Sequence, residues 1–416
     1  MTYNLKQSAC ADVADASDAE SEFDRPDTIR RIAEALEAVG WRVSRVEATT
    51  ALPQWLLTHA MDFVFNIAEG WYGPHREAQV PAILESLRIP FTGSSSTTLA
   101  LALDKALTKQ VLACEGIPTP PWQLFTSSGA PLNPALRFPL IVKPNYEGSS
   151  KGILLEGVVR SEAELRAQVA RVIARYRQDA LVEEFIDGGE LTVGVLGEEA
   201  LPVLEIDFGS CAASGEYFYS WRMKEFQGDA ARHLNPHFHC PARLDGATTR
   251  LVQDLAMRAH RALGCREFSR TDIRLGAGGR PFVLEVNPLP GFSPLESNFP
   301  IMARAAGLSY QELIQRIVAL AMVRYQRDSR VRIFTDPAPV WAGTAAHPVG
   351  DARRREWSLA PLRQGGLGAL ASGSALPRVA AECRPAAQSA GLSSARGRAG
   401  AGARPSGGRR GRRQDR

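Results

Sequence analysis

Apolar residues recur along the chain with the periods of helix and strand. Ile29, Ile32, Leu36 and Val39 fall on one helical face, and Gly40 stands where a C-terminal cap belongs. Strands are predicted near 41–46 and over 62–67. Val80, Ile83, Leu84 and Leu87 mark a second helix that leads into Ile89-Pro90-Phe91. Residues 1–96 therefore read as a small α/β domain with a parallel sheet. Only residues 1–5 can supply its first strand, which suggests a shortened start.

One helix is predicted over 97–116 (Leu101, Lys105, Thr108, Leu112), ended by Gly116 and an extended Ile117-Pro118-Thr119-Pro120-Pro121 linker. Strands follow at 138–143 and 152–157, with a Gly/Ser loop between them. Ser161 and Glu164 form a capping box that opens a helix to about residue 176. Strands at 180–186, 190–196 and 201–208, a helix at 248–263, a hairpin at 268–287 and a helix at 310–325 complete the pattern. The predicted domains are 1–96, 97–185 and 186–328, and the Arg/Gly/Ala-rich residues 329–416 are expected to be disordered.

Composition changes this picture in two places. Across 416 residues, 44% hydrophobic and 23% charged, the balance is that of a globular protein. No apolar run approaches the roughly 20 residues of a membrane-spanning helix, and the acidic N-terminus lacks a signal-like apolar segment, so a cytoplasmic protein is expected. The net charge of +4 is local. Residues 351–416 hold 14 Arg and four acids, leaving 35 basic and 41 acidic residues before them, a net of −6. The second place is lysine. Only Lys6, Lys105, Lys109, Lys143, Lys151 and Lys224 occur against 43 Arg, so a retained Lys marks a position that calls for a compact ammonium. The six cysteines are scattered without a CxxC pair, which argues against a zinc ribbon or a disulfide framework.

The most informative segment runs from Phe268 to Asn287. Folded as a hairpin centred between Gly278 and Gly279, it puts Thr271, Ile273, Leu275, Phe282, Leu284 and Val286 on the core face. The other face carries Arg270, Asp272, Glu285 and Asn287, with Asp272 directly across from Glu285. Like charges so opposed destabilise a sheet. A bound cation reverses that penalty, and three oxygen ligands without His or Cys suit Mg²⁺ or Mn²⁺ completed by phosphates. The alternative is that Arg270 simply neutralises the pair.

A second constellation is Pro139-Leu140-Ile141-Val142-Lys143-Pro144 followed by Asn145-Tyr146-Glu147-Gly148-Ser149-Ser150-Lys151-Gly152. An apolar strand delivers Lys143 at its end, and a loop of small residues can fold over polyphosphate. A third, Leu181 to Ile186 with Glu190 beyond the turn, permits an adenine edge and a ribose acceptor but also describes an ordinary buried strand. His233, His237, His239 and Cys240 lie close in sequence and look like metal ligands, yet Pro236 and Pro241 frame them as a loop.

In order and spacing these segments resemble the ATP-grasp superfamily, and within it the D-alanine–D-alanine ligase family, from about residue 62 to residue 322. The likeness is densest in LALDKALTKQ, FPLIVKPNYEGSSKGI, LVEEFIDGGELTVGVLG and RTDIRLGAGGRPFVLEVNPLPGF. It implies an α/β (α+β) three-domain ATP-grasp fold that grips ATP between the central and C-terminal sheets. By position, Lys105, Lys143 and Lys224 would meet the phosphates, with the loop of Glu147, Gly148, Ser149 and Ser150 closing over them. Glu183, Glu184, Phe185 and Ile186 would border the adenine and Glu190 the ribose, while Asp272, Glu285 and Asn287 would hold two Mg²⁺ or Mn²⁺ ions. Arg270 and the N–H of Gly291 would stabilise the tetrahedral oxyanion, with Ser149 beside the reaction centre.

The implied reaction turns a carboxylate into an acyl phosphate with ATP, which an amino acid's amine then attacks. Three departures touch the amino-acid pockets and spare the ATP site. The family's N-terminal Glu-containing motif is not recognisable before Asp62, a tyrosine after the loop lysine is replaced by Glu225, and the loop after Gly291 is one residue longer, so that Ser297 matches a carboxylate-binding serine. The expected partners are amino-acid substrates, with no membrane, no specific nucleic acid, and a homodimer by resemblance. The rivals are a ligase joining other amino acids, a non-catalytic nucleotide-binding scaffold, and a nucleic-acid binder acting through the Arg-rich tail; truncation near residue 335 separates the last of these from the ligase.

Overall fold

Short parallel pairings build the N-terminal layer. β1 (Thr2–Tyr3) runs parallel to β2 (Val46–Glu47), and single bridges join Thr2 to Asn66 and Val64 to Phe91. Met1 to Leu5 thus does supply the first strand. The strand expected at 41–46 begins only at Val46; Trp41 and Val43 pack against the core outside the ladder. In α1 (Pro26–Glu37), Pro26 opens the helix and Ile29, Ile32 and Leu36 are buried. Val39 falls beyond the helix end and is exposed, and Gly40 takes φ +91°, the left-handed turn that carries the chain away. α2 (Leu52–Thr58), which no periodicity suggested, and α3 (Gln79–Ser86) contribute Leu52, Leu56, Val80 and Leu84 to a core shared with Tyr325.

The structure, a computed structural model, describes residues 1–6, 18, 20–226 and 232–327. The expected disorder of residues 329–416, together with Cys10 and Cys383, lies outside them. Cys211, Cys240 and Cys265 are free thiols. No described helix is long and apolar enough to cross a membrane.

The single helix predicted over 97–116 is two. α4 (Ser96–Leu103) stops at Asp104, whose extended backbone and side chain cap α5 (Lys105–Cys114) by accepting from the Leu107 N–H. The apolar period runs through both helices and hides this break. Next comes an antiparallel sheet ordered β3-β6-β4-β5, from β3 (Trp122–Phe125), β4 (Leu140–Pro144), β5 (Val158–Val159) and β6 (Ala180–Glu184). The strand expected at 152–157 is replaced by a loop and a 3₁₀ turn, Leu155–Gly157, ahead of β5. α6 (Glu162–Tyr176) begins at Ser161 as its capping signal indicates, and packs Leu165, Val169 and Val172 on this sheet.

The larger sheet is ordered β10-β9-β7-β11-β12, with β8 paired to β7, and is antiparallel throughout. Its strands are β7 (Glu190–Leu196), β8 (Glu199–Ala200), β9 (Leu204–Asp207), β10 (His237–His239), β11 (Phe268–Leu275) and β12 (Pro281–Asn287). The short α7 (Trp221–Glu225) precedes β10, and α8 (Gly246–Ala262) buries Val252, Leu255, Ala256 and Ala259 against one face. On the other side, α9 (Asn298–Ala305) and α10 (Tyr310–Arg327) pack with α1 around Phe268, Phe292 and Phe299.

The hairpin register is right where it matters and slips beyond. Arg270 pairs with Asn287 and Asp272 with Glu285, but a bulge then sets Ile273 opposite Val283. Val283 and Val286 therefore enter the core. Leu284 and Phe282, expected there, are only partly buried, and Leu284 lines the cleft.

Candidate functional site

The two sheets face each other across a cleft of about 760 Å³ counted with its open mouth. Lys143 from β4, Glu183 and Glu184 from β6, and Phe185 and Ile186 beyond it line it on one side, while Glu190 of β7 belongs to the facing sheet. Arg270 and Asp272 from β11 and Leu284 and Glu285 from β12 line it on the other, with Lys224 of α7 between them. Of the sequence-predicted nucleotide residues, Lys143, Ser150, Glu183, Glu184, Phe185, Ile186, Glu190 and Lys224 line this cleft, while Lys105, Glu147, Gly148 and Ser149 lie outside its lining.

The loop after β4 is held in a defined shape. Asn145, fully buried, accepts from the Ala106 N–H through its side chain (2.9 Å) and donates to Asp104 (2.8 Å). These bonds join the start of α5 to the loop and so place Lys105, whose Nζ donates to the Glu147 carbonyl and lies 3.6 Å from Glu285. Ser149 and Ser150 take consecutive left-handed φ values of +48° and +57°, a costly conformation for residues with a Cβ. The Ser150 hydroxyl donates to the Tyr219 carbonyl (2.9 Å), and the Gly148 N–H donates to Glu22 (2.6 Å). Glu22 also pairs with Arg76, which donates to the Tyr146 carbonyl (2.8 Å) and meets Glu147 (3.1 Å). The N-terminal layer therefore grips the loop.

Charge in the cleft is arranged for an anion. Glu183 is buried between Lys109 (2.9 Å) and Lys143 (3.0 Å), so both its oxygens are engaged by lysines. Burial opposes its ionisation, but the two ammonium groups hold its carboxyl below the ordinary range. Burial also raises Glu285, yet Lys105, Lys143, Lys224 and Arg270 outweigh it and keep this carboxylate ionised. Lys224 is lowered by burial and by Arg270, and stands 5.1 Å over the Tyr219 ring. Glu184 accepts from the Arg137 N–H (2.9 Å), and Phe185 stacks edge-on against Tyr217 beneath the Arg274 guanidinium. Glu190 is raised by burial and accepts from the Tyr219 N–H (3.2 Å).

Asp272 and Glu285 are neutralised separately. Arg270 forks onto Asp272 (2.9 and 2.8 Å), which also accepts from Asn287 (3.1 Å) and Thr192 (2.7 Å). Among the described residues no three His, Cys, Asp or Glu side chains converge as a metal cage. Two carboxylates and one amide on a single face do fit Mg²⁺ or Mn²⁺, which take only one or two protein carboxylates when phosphates supply the rest. His237 and His239 stand on β10 rather than in the expected loop, His239 meets Asp207 at 3.3 Å, and among the described residues these histidines are part of no group of three metal ligands.

Beside Arg270 lies a second cavity. Gly291 and Ser149 line it, with Lys224, Glu22, Asp24, Glu69 and Glu77. A Cβ on Gly291 would stand 2.7 Å from the Ser297 hydroxyl, which accepts from the Ser293 N–H (3.0 Å), so the longer loop still brings Ser297 to Gly291. Glu225, in place of the expected tyrosine, is bound through both oxygens by Lys6 (2.8 Å each). Glu22, Arg76, Lys6 and Asn145 escape sequence reasoning because their partners are remote. The rarity of lysine was the one signal that reached Lys6.

The family profile described as the D-ala D-ala ligase C-terminus matches residues 111–319. A protein of Sinorhizobium fredii named y4sG is 38% identical over 272 residues, 65% of this chain and 77% of its own. A D-alanine–D-alanine ligase of Desulforudis audaxviator is 35% identical over 302 residues, 71% of this chain and 92% of its own. The crystal structure of a D-alanine–D-alanine ligase from Bacillus anthracis complexed with ATP superposes with a TM-score of 0.61 at 23% identity, over 79% of this chain and 98% of that one, and so has the same fold.

Proposed function

The chain belongs to the D-alanine–D-alanine ligase family, and from that premise we propose that it is an ATP-dependent ligase joining two D-alanines for peptidoglycan synthesis. The observation that carries the reading is the convergence of Lys105, Lys143, Lys224 and Arg270 on one cleft around the ionised Glu285. Four cations so placed suit a polyphosphate.

In this reading the triphosphate lies along Lys143, Lys105 and Lys224 under the loop Glu147–Gly148–Ser149–Ser150. Glu184, Phe185 and Ile186 edge the adenine pocket, Glu183 holds Lys143 behind it, and Glu190 faces the ribose. Asp272, Glu285 and Asn287 would hold two Mg²⁺ or Mn²⁺ ions, which when bound neutralise phosphate charge. Arg270 and the Gly291 N–H face the first amino acid's carboxylate, and orient it toward the γ-phosphorus. An oxygen of that carboxylate bonds to phosphorus as ADP leaves. The second amino acid's nitrogen then bonds to the acyl carbon, phosphate departs and the amine loses a proton. Arg270 and Gly291 are placed to donate to the oxyanion in between.

Release of ADP and phosphate that requires D-alanine, with D-alanyl-D-alanine found by mass spectrometry, tests this. ATP hydrolysis that D-alanine does not stimulate would reject it. A homodimer in the cytoplasm completes the reading, tested by light scattering and cell fractionation.

A further inference from the structure

The cavity beside Arg270, about 570 Å³ with its mouth, has two unlike walls. One presents Arg270, Lys224 and the Gly291 backbone. The other presents Glu22, Asp24, Glu69 and Glu77. Glu22 is paired with Arg76. Asp24, Glu69 and Glu77 are different: among the described residues none of their carboxylates has a hydrogen bond or ion pair. Glu77 is the sharpest case, about nine-tenths buried yet facing the cavity without a partner. Burying carboxylates together with no cation in direct contact is costly: burial with the repulsion of neighbouring carboxylates raises Glu69 and Glu77 although Arg76 opposes it at both and Lys105 at Glu77, and burial alone raises Asp24. These carboxylates do not converge as a metal cage, so ammonium groups spaced along a chain suit them better than one ion.

A single D-alanine brings one ammonium to this wall. Glu22 and any one neighbour satisfy it, leaving the other acids unmatched. We propose that this pocket takes a diamino acid, whose side-chain ammonium binds among Asp24, Glu69 and Glu77 while its α-carboxylate faces Arg270 and Gly291. The inference rests on the ligase reading and changes one of its substrates: in place of one D-alanine, one of the two joined residues carries a cationic side chain. The chemistry is unchanged, with the α-carboxylate phosphorylated by ATP and then attacked by the partner's amine.

The test compares D-ornithine with D-norvaline, which has the same carbon chain and no terminal ammonium, each offered with D-alanine, ATP and Mg²⁺ to the full-length protein. Mixed-dipeptide formation is followed by mass spectrometry, and binding by calorimetry. D-ornithine is expected to exceed D-norvaline about tenfold in kcat/KM and in affinity, the worth of one charge-assisted hydrogen bond. Glu77→Gln and Glu69→Gln should each shrink that ratio. Equal binding and turnover of the two amino acids would overturn the inference, and if D-alanyl-D-alanine still formed, the ligase reading would stand. Absence of every dipeptide would sink the ligase reading, and calorimetry would still decide the preference for the dication.

Discussion

Glu183 and Lys143 sit diagonally across neighbouring strands, their charged groups 3.0 Å apart, while the other oxygen of Glu183 holds Lys109 at 2.9 Å. One carboxylate therefore bridges two buried ammonium groups, and the strand register sets the reach of Lys143 into the cleft. Glu183→Gln removes the one carboxylate that both buried cations touch, leaving them only the more distant Glu285, and should cost about 3–5 kcal/mol. Urea titration reads this directly. Lys109→Met should cost less, because Glu183 keeps Lys143, and the comparison separates the two partners.

Gly148→Ala tests how the N-terminal layer grips the phosphate loop. A Cβ there would stand 2.7 Å from the same Glu22 oxygen that accepts the Gly148 N–H. The added methyl must push Glu22 or the loop aside. We expect KM for ATP to rise about tenfold or more, the loss of one charge-assisted hydrogen bond, with the melting temperature nearly unchanged. An unaltered KM would show that Glu22 does not order the loop.

Much of this site was legible in the chain. The Asp272–Glu285 pairing expected from a turn between Gly278 and Gly279 holds because two offsets cancel: next to the turn the register is centred on Gly278, with Leu275 opposite Pro281, and the bulge at Leu284 restores the expected pairing from Asp272 outward. The bulge itself was not legible, since Leu284 is equally at home in a core or on the wall of a cleft. The break at Asp104 was hidden by apolar residues that continue the helical period on both sides, although an Asp before a Lys-rich turn is a fair capping signal. Lysine scarcity proved more informative than the motifs alone. Lys143 and Lys224 line the cleft, Lys105 lies 3.6 Å from Glu285, Lys109 holds Glu183, Lys151 pairs with Glu147 at 3.0 Å, and Lys6 binds Glu225. Glu22 and Arg76 had no local signature, because their meaning comes from a contact across more than fifty residues.

Arg270→Lys separates charge from geometry. The guanidinium binds Asp272 through two parallel bonds of 2.9 and 2.8 Å, which a lysine cannot reproduce. A freed Asp272 and a displaced cation should lower kcat about 10²–10³-fold, the loss of one oxyanion donor. KM for ATP should change less. Single-turnover measurement of phosphate release checks this, and a variant with near-normal kcat would remove Arg270 from the reaction centre.

The acidic wall makes a pH prediction whose sign is fixed. Asp24 and Glu77 are pushed up to about 7, Asp24 by burial and Glu77 by burial with the repulsion of Glu22. Arg76 and Lys105 oppose the shift of Glu77, while Glu285 adds to it. Between the ordinary carboxyl range and 7, the folded chain holds protons that the unfolded chain has released. Their contribution to stability is therefore complete below about pH 4 and is lost as pH rises to 7. His260, pushed down to about 4 by burial, gives the opposite slope below its ordinary value and cancels in a comparison with Glu77→Gln. The variant should gain about 1–3 kcal/mol over wild type on going from pH 5 to pH 8, read from denaturation midpoints at each pH. D-ornithine should narrow that gap at pH 8, where its ammonium meets an ionised Glu77; a gap unchanged by ligand would argue that the carboxylates face no cation at all.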